Sequence, residues 1–374
     1  MNEKTIIIIG VSARSLVNFR GELIRLFIHM GHKVLAVASG ANDDDINEIE
    51  SLGAHYVEAP SERTGTNVFV DLKTMNFYRK LFYEIRPEYV ISYTIKPVIW
   101  SGIALASNNY TNFTALITGL GYSFQGLSLK RKVIRVIVSF LYKLSLKRAD
   151  QVIFQNNEDL TYFVEKKIVS NLKVNTIPGS GVPIHHFSQK PLRTPPIIFL
   201  MISRLLKEKG IYQFFEAARQ VKMRFPEARF QLLGGLDQSP DGINQRQLNE
   251  LSNLDYVEYL GETQDVRPYI ENCHVFVLPS YYRERLPRTI LEAMSVGRAV
   301  LTTNHSGCRD AIVEGCNGWL VPVQDSNALV EKMVWFIENP NKTELMGLAS
   351  RQIIKERFDV RKVNDKILEI IRLH

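Results

Sequence analysis

Apolar residues arrive along this chain in two rhythms. Short runs rich in Ile and Val, at 5–9, 33–38, 88–92, 114–117, 151–154 and 174–177, read as buried strands. Between several of them the apolar positions recur at helical spacing. Over 19–30, for example, Leu23, Leu26, Phe27 and Met30 share one face. This alternation predicts parallel βαβ units. Residues 189–196, QKPLRTPP, are polar and proline-rich and read as a linker. The rhythm then restarts, with strands expected at 197–201, 229–233, 257–260, 274–278, 299–303 and 319–321. The expected architecture is two α/β domains facing each other across a cleft. A last helix, at about 360–373, follows the second set of strands.

Length and composition are consistent with this picture. A chain of 374 residues, 45% hydrophobic and 23% charged, is long enough for two domains with ample cores. Its net charge of +7 favours anionic partners such as nucleotides, lipid diphosphates or acidic membranes. Three cysteines with no Cys-x-x-Cys pair argue for a reducing compartment and against structural zinc. The start, MNEKTIIIIG, lacks the features of a signal peptide, and no run approaches the length of a membrane span. A cytoplasmic protein, at most peripheral on the inner face of the cytoplasmic membrane, is expected.

Two stretches carry candidate chemistry. In MISRLLKEKG, Arg204 and Lys209 follow a strand, and Gly210 precedes an amphipathic helix. Cations beside a strand end and a helix N-terminus suit a diphosphate. In YYRERLPRTILEAMSVGRAV, Glu284 and Glu292 are separated by seven residues. Pro287 suits the first turn of a helix and Gly297 its end, so Glu284 is expected in a strand-to-helix loop and Glu292 on the helix. Each carboxylate accepts hydrogen bonds from vicinal hydroxyls, and ligands of open α/β sheets bind at that edge.

The pairs Arg204/Lys209 and Glu284/Glu292, with LEAM and the later SGCRDAIVEGCNGWLVP, resemble the retaining glycosyltransferases of family 4, which have the GT-B fold. The motifs SYTIKP and LITGLGYSF resemble the bacterial members that extend undecaprenyl-diphosphate-linked glycans for O-antigen, capsule or protein glycosylation. The resemblance implies two Rossmann-like parallel-sheet domains, an acceptor domain at 1–188 and a donor domain at 189–355. The terminal helix, about 356–374, would cross back onto the first domain. The implied reaction moves a hexose or N-acetylhexosamine from a UDP-sugar to a lipid-linked saccharide, with an α1,3-linked GalNAc, GlcNAc or Gal as the narrowest reading.

On this resemblance Arg204 and Lys209 hold the diphosphate, Glu292 the ribose and Glu284 the transferred sugar. Arg285, Arg288, Thr289, Gly119 and Gly121 complete the donor site. Asn18, Arg20 and Lys96 fall to the acceptor side. UDP-sugar is the co-substrate, and no metal is required because fixed cations can replace Mg²⁺. The sequence departs from the family where Arg285 stands in place of a Gly, where 118–122 has no His, and where Gly10 lacks a second Gly. A sugar-nucleotide epimerase and an inactive membrane-bound scaffold are the alternatives. A dehydrogenase is disfavoured because no G-x-G-x-x-G follows either first strand.

Residues 127–149 contain seven cations (Lys130, Arg131, Lys132, Arg135, Lys143, Lys147 and Arg148) and no acid. Val133, Ile137, Phe140, Leu141 and Leu144 form an apolar stripe at helical spacing. This pattern suits a helix lying on an anionic inner-leaflet surface. Nucleic acid is not an expected partner, since no reader motif accompanies the charge.

Overall fold

The computed structural model describes residues 3–62, 67–119, 129–194, 196–237, 239, 241–282 and 286–373. Two compact units emerge, one of Met1–Ser180 with Arg361–His374 and one of Gly181–Val360.

The first unit holds a seven-stranded sheet built from β1 (Thr5–Ile9), β2 (Lys33–Ala38), β3 (His55–Glu58), β4 (Tyr89–Tyr93), β5 (Asn112–Ile117), β6 (Gln151–Phe154) and β7 (Val174–Thr176). The spatial order is β3-β2-β1-β4-β5-β6-β7, and every pairing is parallel. Its helices are α1 (Ala13–His29), α2 (Asp43–Ser51), α3 (Val68–Ile85), α4 (Ile95–Ala104), α5 (Leu129–Arg148) and α6 (Asn157–Glu165). A strand buried on both faces needs apolar residues at every position, and the IIII of β1 meets that need. Ile6 and Ile8 enter the core layer that holds Leu23 and Phe27 of α1, while Ile7 and Ile9 enter the layer that holds Tyr78, Phe82, Tyr142 and Phe163.

The second unit holds a six-stranded sheet of β8 (Ile198–Ile202), β9 (Arg229–Leu233), β10 (Glu258–Tyr259), β11 (Val275–Leu278), β12 (Ala299–Thr303) and β13 (Gly318–Val321). The order is β10-β9-β8-β11-β12-β13, again parallel throughout. Its helices are α7 (Ile211–Arg224), α8 (Gln245–Ser252), α9 (Arg267–Asn272), α10 (Arg288–Val296), α11 (Ser326–Glu338) and α12 (Pro340–Ile353). A π-helical turn, Ile354–Phe358, leads to α13 (Val360–Ile371), whose Val363, Ile367 and Ile370 join the first unit's core beside α1.

The units divide at Ser180/Gly181 and Val360/Arg361, rather than at 188/189 and 355/356. The reason is local. Val182 and Phe187 are buried in the second unit's core, and two buried arginines fasten this entry segment. Arg351 donates to the carbonyls of Phe187 (2.9 Å) and Ile184 (3.1 Å). Arg298 donates to the carbonyl of Lys190 (3.0 Å). The proline-rich stretch therefore runs along the second unit instead of leading to it.

His274 makes a second fastening. Its Nδ1 accepts the Ile198 N–H (3.1 Å) and its Nε2 donates to the Arg193 carbonyl (3.0 Å), which requires the neutral ring. Burial lowers its pKa below the usual 6.5. His32, also buried, is lowered by burial and then by Lys4. The unfolded chain therefore takes up protons that the folded one refuses as pH falls below 6.5, and stability drops in that window. Melting temperature is expected to fall between about pH 7.5 and about pH 5.5. The fall should be shallower in His274→Gln, and an equal slope in parent and variant would remove this assignment.

Candidate active site

In the second sheet the strand order reverses between β8 and β11. At such a switch point the loops leaving the two strands diverge and open a crevice at their carboxyl ends, where α/β proteins bind ligands. Arg204 and Lys209 follow β8, and the segment reaching α10 follows β11. The two candidate stretches thus flank the same crevice of one unit.

The stretches are joined through their backbones. After β8 the chain makes a 3₁₀ turn, Lys207–Lys209, and the Glu208 carbonyl accepts the N–H groups of Tyr281 (2.9 Å) and Tyr282 (3.0 Å). The Ser280 hydroxyl donates to the same oxygen at 3.3 Å. Lys209 is half-buried, with its ammonium 5.5 Å from the centre of the Tyr282 ring. Gly210 ends the turn at φ +83°, and a Cβ there would lie 2.1 Å from the Pro279 carbonyl oxygen. Only glycine allows the turn to sit this close to the β11 loop.

Arg204 is the more exposed cation. Its Nη1 meets Asp237 Oδ2 at 2.6 Å, with 55% of the Arg204 side chain and 14% of the Asp237 side chain accessible. Burial acts to raise the Asp237 carboxyl, but hydrogen bonds from Ser239 and the Arg204 charge outweigh it and hold the pKa below the usual range. Asp237 lies in the loop after β9, where Gly234 comes so close to β8 that a Cβ would stand 1.8 Å from the Ser203 oxygen. The Gly234–Gly235 pair after a strand was the available sequence signal for this loop.

α10 begins after Pro287 and ends at Gly297, whose φ is +90°, as the sequence predicts. Pro287 has no side chain able to cap the helix, and Arg288 and Thr289 form its first turn, on the segment that follows β11. Arg288 donates from Nε to Glu292 Oε1 at 2.9 Å, and the side chains are 22% and 10% accessible. A cation in a first helical turn opposes the helix dipole, so its placement there favours an anionic ligand over helix stability. Burial raises the Glu292 carboxyl above 4.5, with Arg288 acting in the opposite direction.

Glu284 and Arg285 lie outside the described residues, as does Gly121. Arg204 and Lys209, after β8, and Arg288, Thr289 and Glu292, on the helix after β11, therefore belong to the two segments that leave the switch point of the second unit. The remaining candidates belong to the first unit. Gly119 lies two residues beyond β5, with φ +121°. Asn18 is exposed on α1, whereas Arg20 is only 2% accessible, with its guanidinium 5.1 Å from the centre of the Tyr93 ring. Burial removes Arg20 from any membrane-facing role. Lys96 is held by Asp71 at 2.9 Å.

On α5 the exposed apolar residues are Val133, Val136, Ile137, Phe140 and Leu144. Leu141, expected in that stripe, packs on the core instead. Lys132, Lys143 and Lys147 are exposed and Arg131, Arg135 and Arg148 half-buried, while the side chain of Lys130 lies outside the described residues. Among the described residues no helix is long and apolar enough to cross a membrane, and no cluster of three or more His, Cys, Asp or Glu could hold a metal.

Comparison with known proteins places this arrangement. Residues 184–353 match the family model "Glycosyl transferases group 1", and residues 13–156 match "Glycosyl transferase 4-like". The chain is 28% identical over 339 residues, 87% of each chain, to the N,N'-diacetylbacillosaminyl-diphospho-undecaprenol alpha-1,3-N-acetylgalactosaminyltransferase of Campylobacter jejuni. It is 24% identical, over 86% of this chain and 84% of the relative, to the UDP-Gal:alpha-D-GlcNAc-diphosphoundecaprenol alpha-1,3-galactosyltransferase of Escherichia coli. A solved glycosyltransferase from Rickettsia africae superposes with a TM-score of 0.80 at 19% identity, covering 100% of this chain and 98% of the other. With a matched domain in each unit and this fold, the chain belongs to the GT-B glycosyltransferases that join a family-4-like domain to a group 1 domain.

Proposed function

We propose that this glycosyltransferase moves a hexose or N-acetylhexosamine from a UDP-sugar to an undecaprenyl-diphosphate-linked saccharide, with retention at the anomeric carbon. The observation that carries the reading is the Glu208 carbonyl, which ties the cation turn after β8 to the loop that leads into α10. One rigid knot then presents positive charge beside a hydroxyl-accepting carboxylate. The lipid-linked acceptor rests on the two relatives, whose names specify undecaprenyl-diphosphate acceptors.

In this reading the donor lies along the β8/β11 crevice. Arg204, Lys209 and the α10 amides meet the diphosphate, Glu292 accepts from the ribose hydroxyls, and Glu284 is assigned to the transferred sugar. As the anomeric C–O bond breaks, the sugar gains oxocarbenium character and the diphosphate gains charge. Fixed donors aimed at that charge provide the principal electrostatic stabilisation. The acceptor hydroxyl oxygen forms the new bond to the anomeric carbon on the face that the leaving phosphate vacates, and that phosphate takes the hydroxyl's proton. No enzymic nucleophile and no metal enters the scheme. The exposed apolar stripe of α5, rimmed by lysines, is read as lying on the anionic inner leaflet near the acceptor.

Glu292 provides the test. Glu292→Gln is expected to weaken UDP binding by about tenfold, the scale of a lost hydrogen bond to a charged group. In the parent, UDP affinity should rise with pH as the raised Glu292 carboxyl ionises, and the variant should lose that dependence. Calorimetric titration of UDP at several pH values reads both. Unchanged affinity in a folded variant would refute the ribose assignment.

A further inference from the structure

The outer side of α3 is unexplained by the donor site. Its core face is Thr74, Tyr78, Leu81 and Phe82. Its first two turns hold Val68, Phe69 and Leu72 out from the protein, 64%, 84% and 44% accessible. Lys73, Arg79 and Lys80 are exposed on the same helix. Of the nearby acids, Asp71 is engaged by Lys96 at 2.9 Å and Glu84 lies 3.7 Å from Lys80. The exposed side of α3 is therefore an apolar tip backed by net positive charge.

This tip shares a layer with the basic helix. α3 packs on α4 and α4 on α5, and all three cover the same face of the first sheet. As crossover helices of a parallel sheet they run in the same direction. Two separate apolar surfaces, each edged by lysine, thus lie on one layer of the first unit.

We propose that the first turns of α3, centred on Phe69, form a second membrane prong that enters the headgroup region of an anionic bilayer beside α5. This rests on the membrane reading of α5 given above. A lipid surface suits the observations because it needs no shaped groove and rewards apolar side chains with cations just behind them. Lys73 stands about one turn, roughly 5.4 Å, behind Phe69. With the ring sunk roughly 5–10 Å into the interface, the ammonium sits among the phosphates.

Flotation of the full chain on vesicles of phosphatidylglycerol and phosphatidylcholine tests the proposal. Phe69→Ser is expected to reduce partitioning by about tenfold, the scale of withdrawing one aromatic side chain from an apolar phase. Val136→Ser/Phe140→Ser on α5 should reduce it as well. Trp at position 69 (Phe69→Trp) should shift its emission to the blue when vesicles are added. If Phe69→Ser floats like the parent while the α5 variant does not, the prong is refuted and the α5 reading stands. If the parent itself does not float, both fall. Loss of self-association in Phe69→Ser without vesicles would assign the tip to a second copy and overturn the lipid proposal.

Discussion

Lys209→Ala is expected to lower kcat by about 10²–10³, close to the loss seen when one preorganised donor is removed from a developing negative charge. The size of the effect follows from how firmly the lysine is placed. Its turn is closed by the Glu208 carbonyl, which accepts from Tyr281, Tyr282 and Ser280, and by Gly210 packed against Pro279. A charge held this way needs little reorganisation as the diphosphate departs. Arg204 is expected to matter less, because it is half exposed and the Asp237 carboxylate 2.6 Å away offsets its charge. The ordering is the sharper part of the expectation, with Arg204→Ala costing less in kcat than Lys209→Ala. Because charge on the leaving group grows only as the bond breaks, the Lys209 loss should fall on kcat more than on KM. Steady-state transfer kinetics decide the matter. A Lys209→Ala enzyme within about threefold of the parent kcat would remove the lysine from the chemistry.

Much of this site was legible in the sequence. Pro287 and Gly297 delimit α10 because proline lacks the N–H that a first helical turn leaves unpaired and glycine accepts φ +90°. The runs that became β1 and β2 declared themselves because strands buried on both faces are nearly continuously apolar. β3 was missed for the converse reason. His55–Glu58 is an edge strand of four residues, of which Tyr56 alone is buried. The switch point was not legible at all, since the adjacency of β8 and β11 is a property of the sheet and not of any local run. Asp237 was invisible for a related reason. It reaches Arg204 from thirty-three positions away, in a loop whose only local signal is Gly234–Gly235. The expected division at 188/189 followed composition, whereas the real one follows two arginines whose partners are all backbone carbonyls or a serine hydroxyl, and such partners leave no trace in residue type.

One of those arginines carries the largest stability effect expected here. Arg298→Met should destabilise the second unit by upwards of about 4 kcal/mol. Arg298 is fully buried. Its guanidinium donates to the carbonyls of Ile270 (3.0 Å), Glu271 (2.9 Å) and Lys190 (3.0 Å), with a longer contact to Pro191 (3.4 Å). Ile270 and Glu271 lie in the last turn of α9, where carbonyls have no helical partner and the dipole favours a cation. Methionine fills much of the same volume but donates nothing. Three well-bonded buried acceptors would lose their partner at about 1–3 kcal/mol each. The entry segment would come loose as well, since among the described residues Lys190 would then keep the bond from its N–H to the Val296 carbonyl (3.1 Å) as its tie to α10. Arg298→Lys should recover only part of the loss, since one ammonium cannot reach carbonyls on both the linker and α9. Urea unfolding followed by a probe in the second unit, such as Trp319 against Trp335, measures the change. A midpoint within error of the parent's would show that the linker is held by apolar packing of Phe187 and Val182 rather than by this guanidinium.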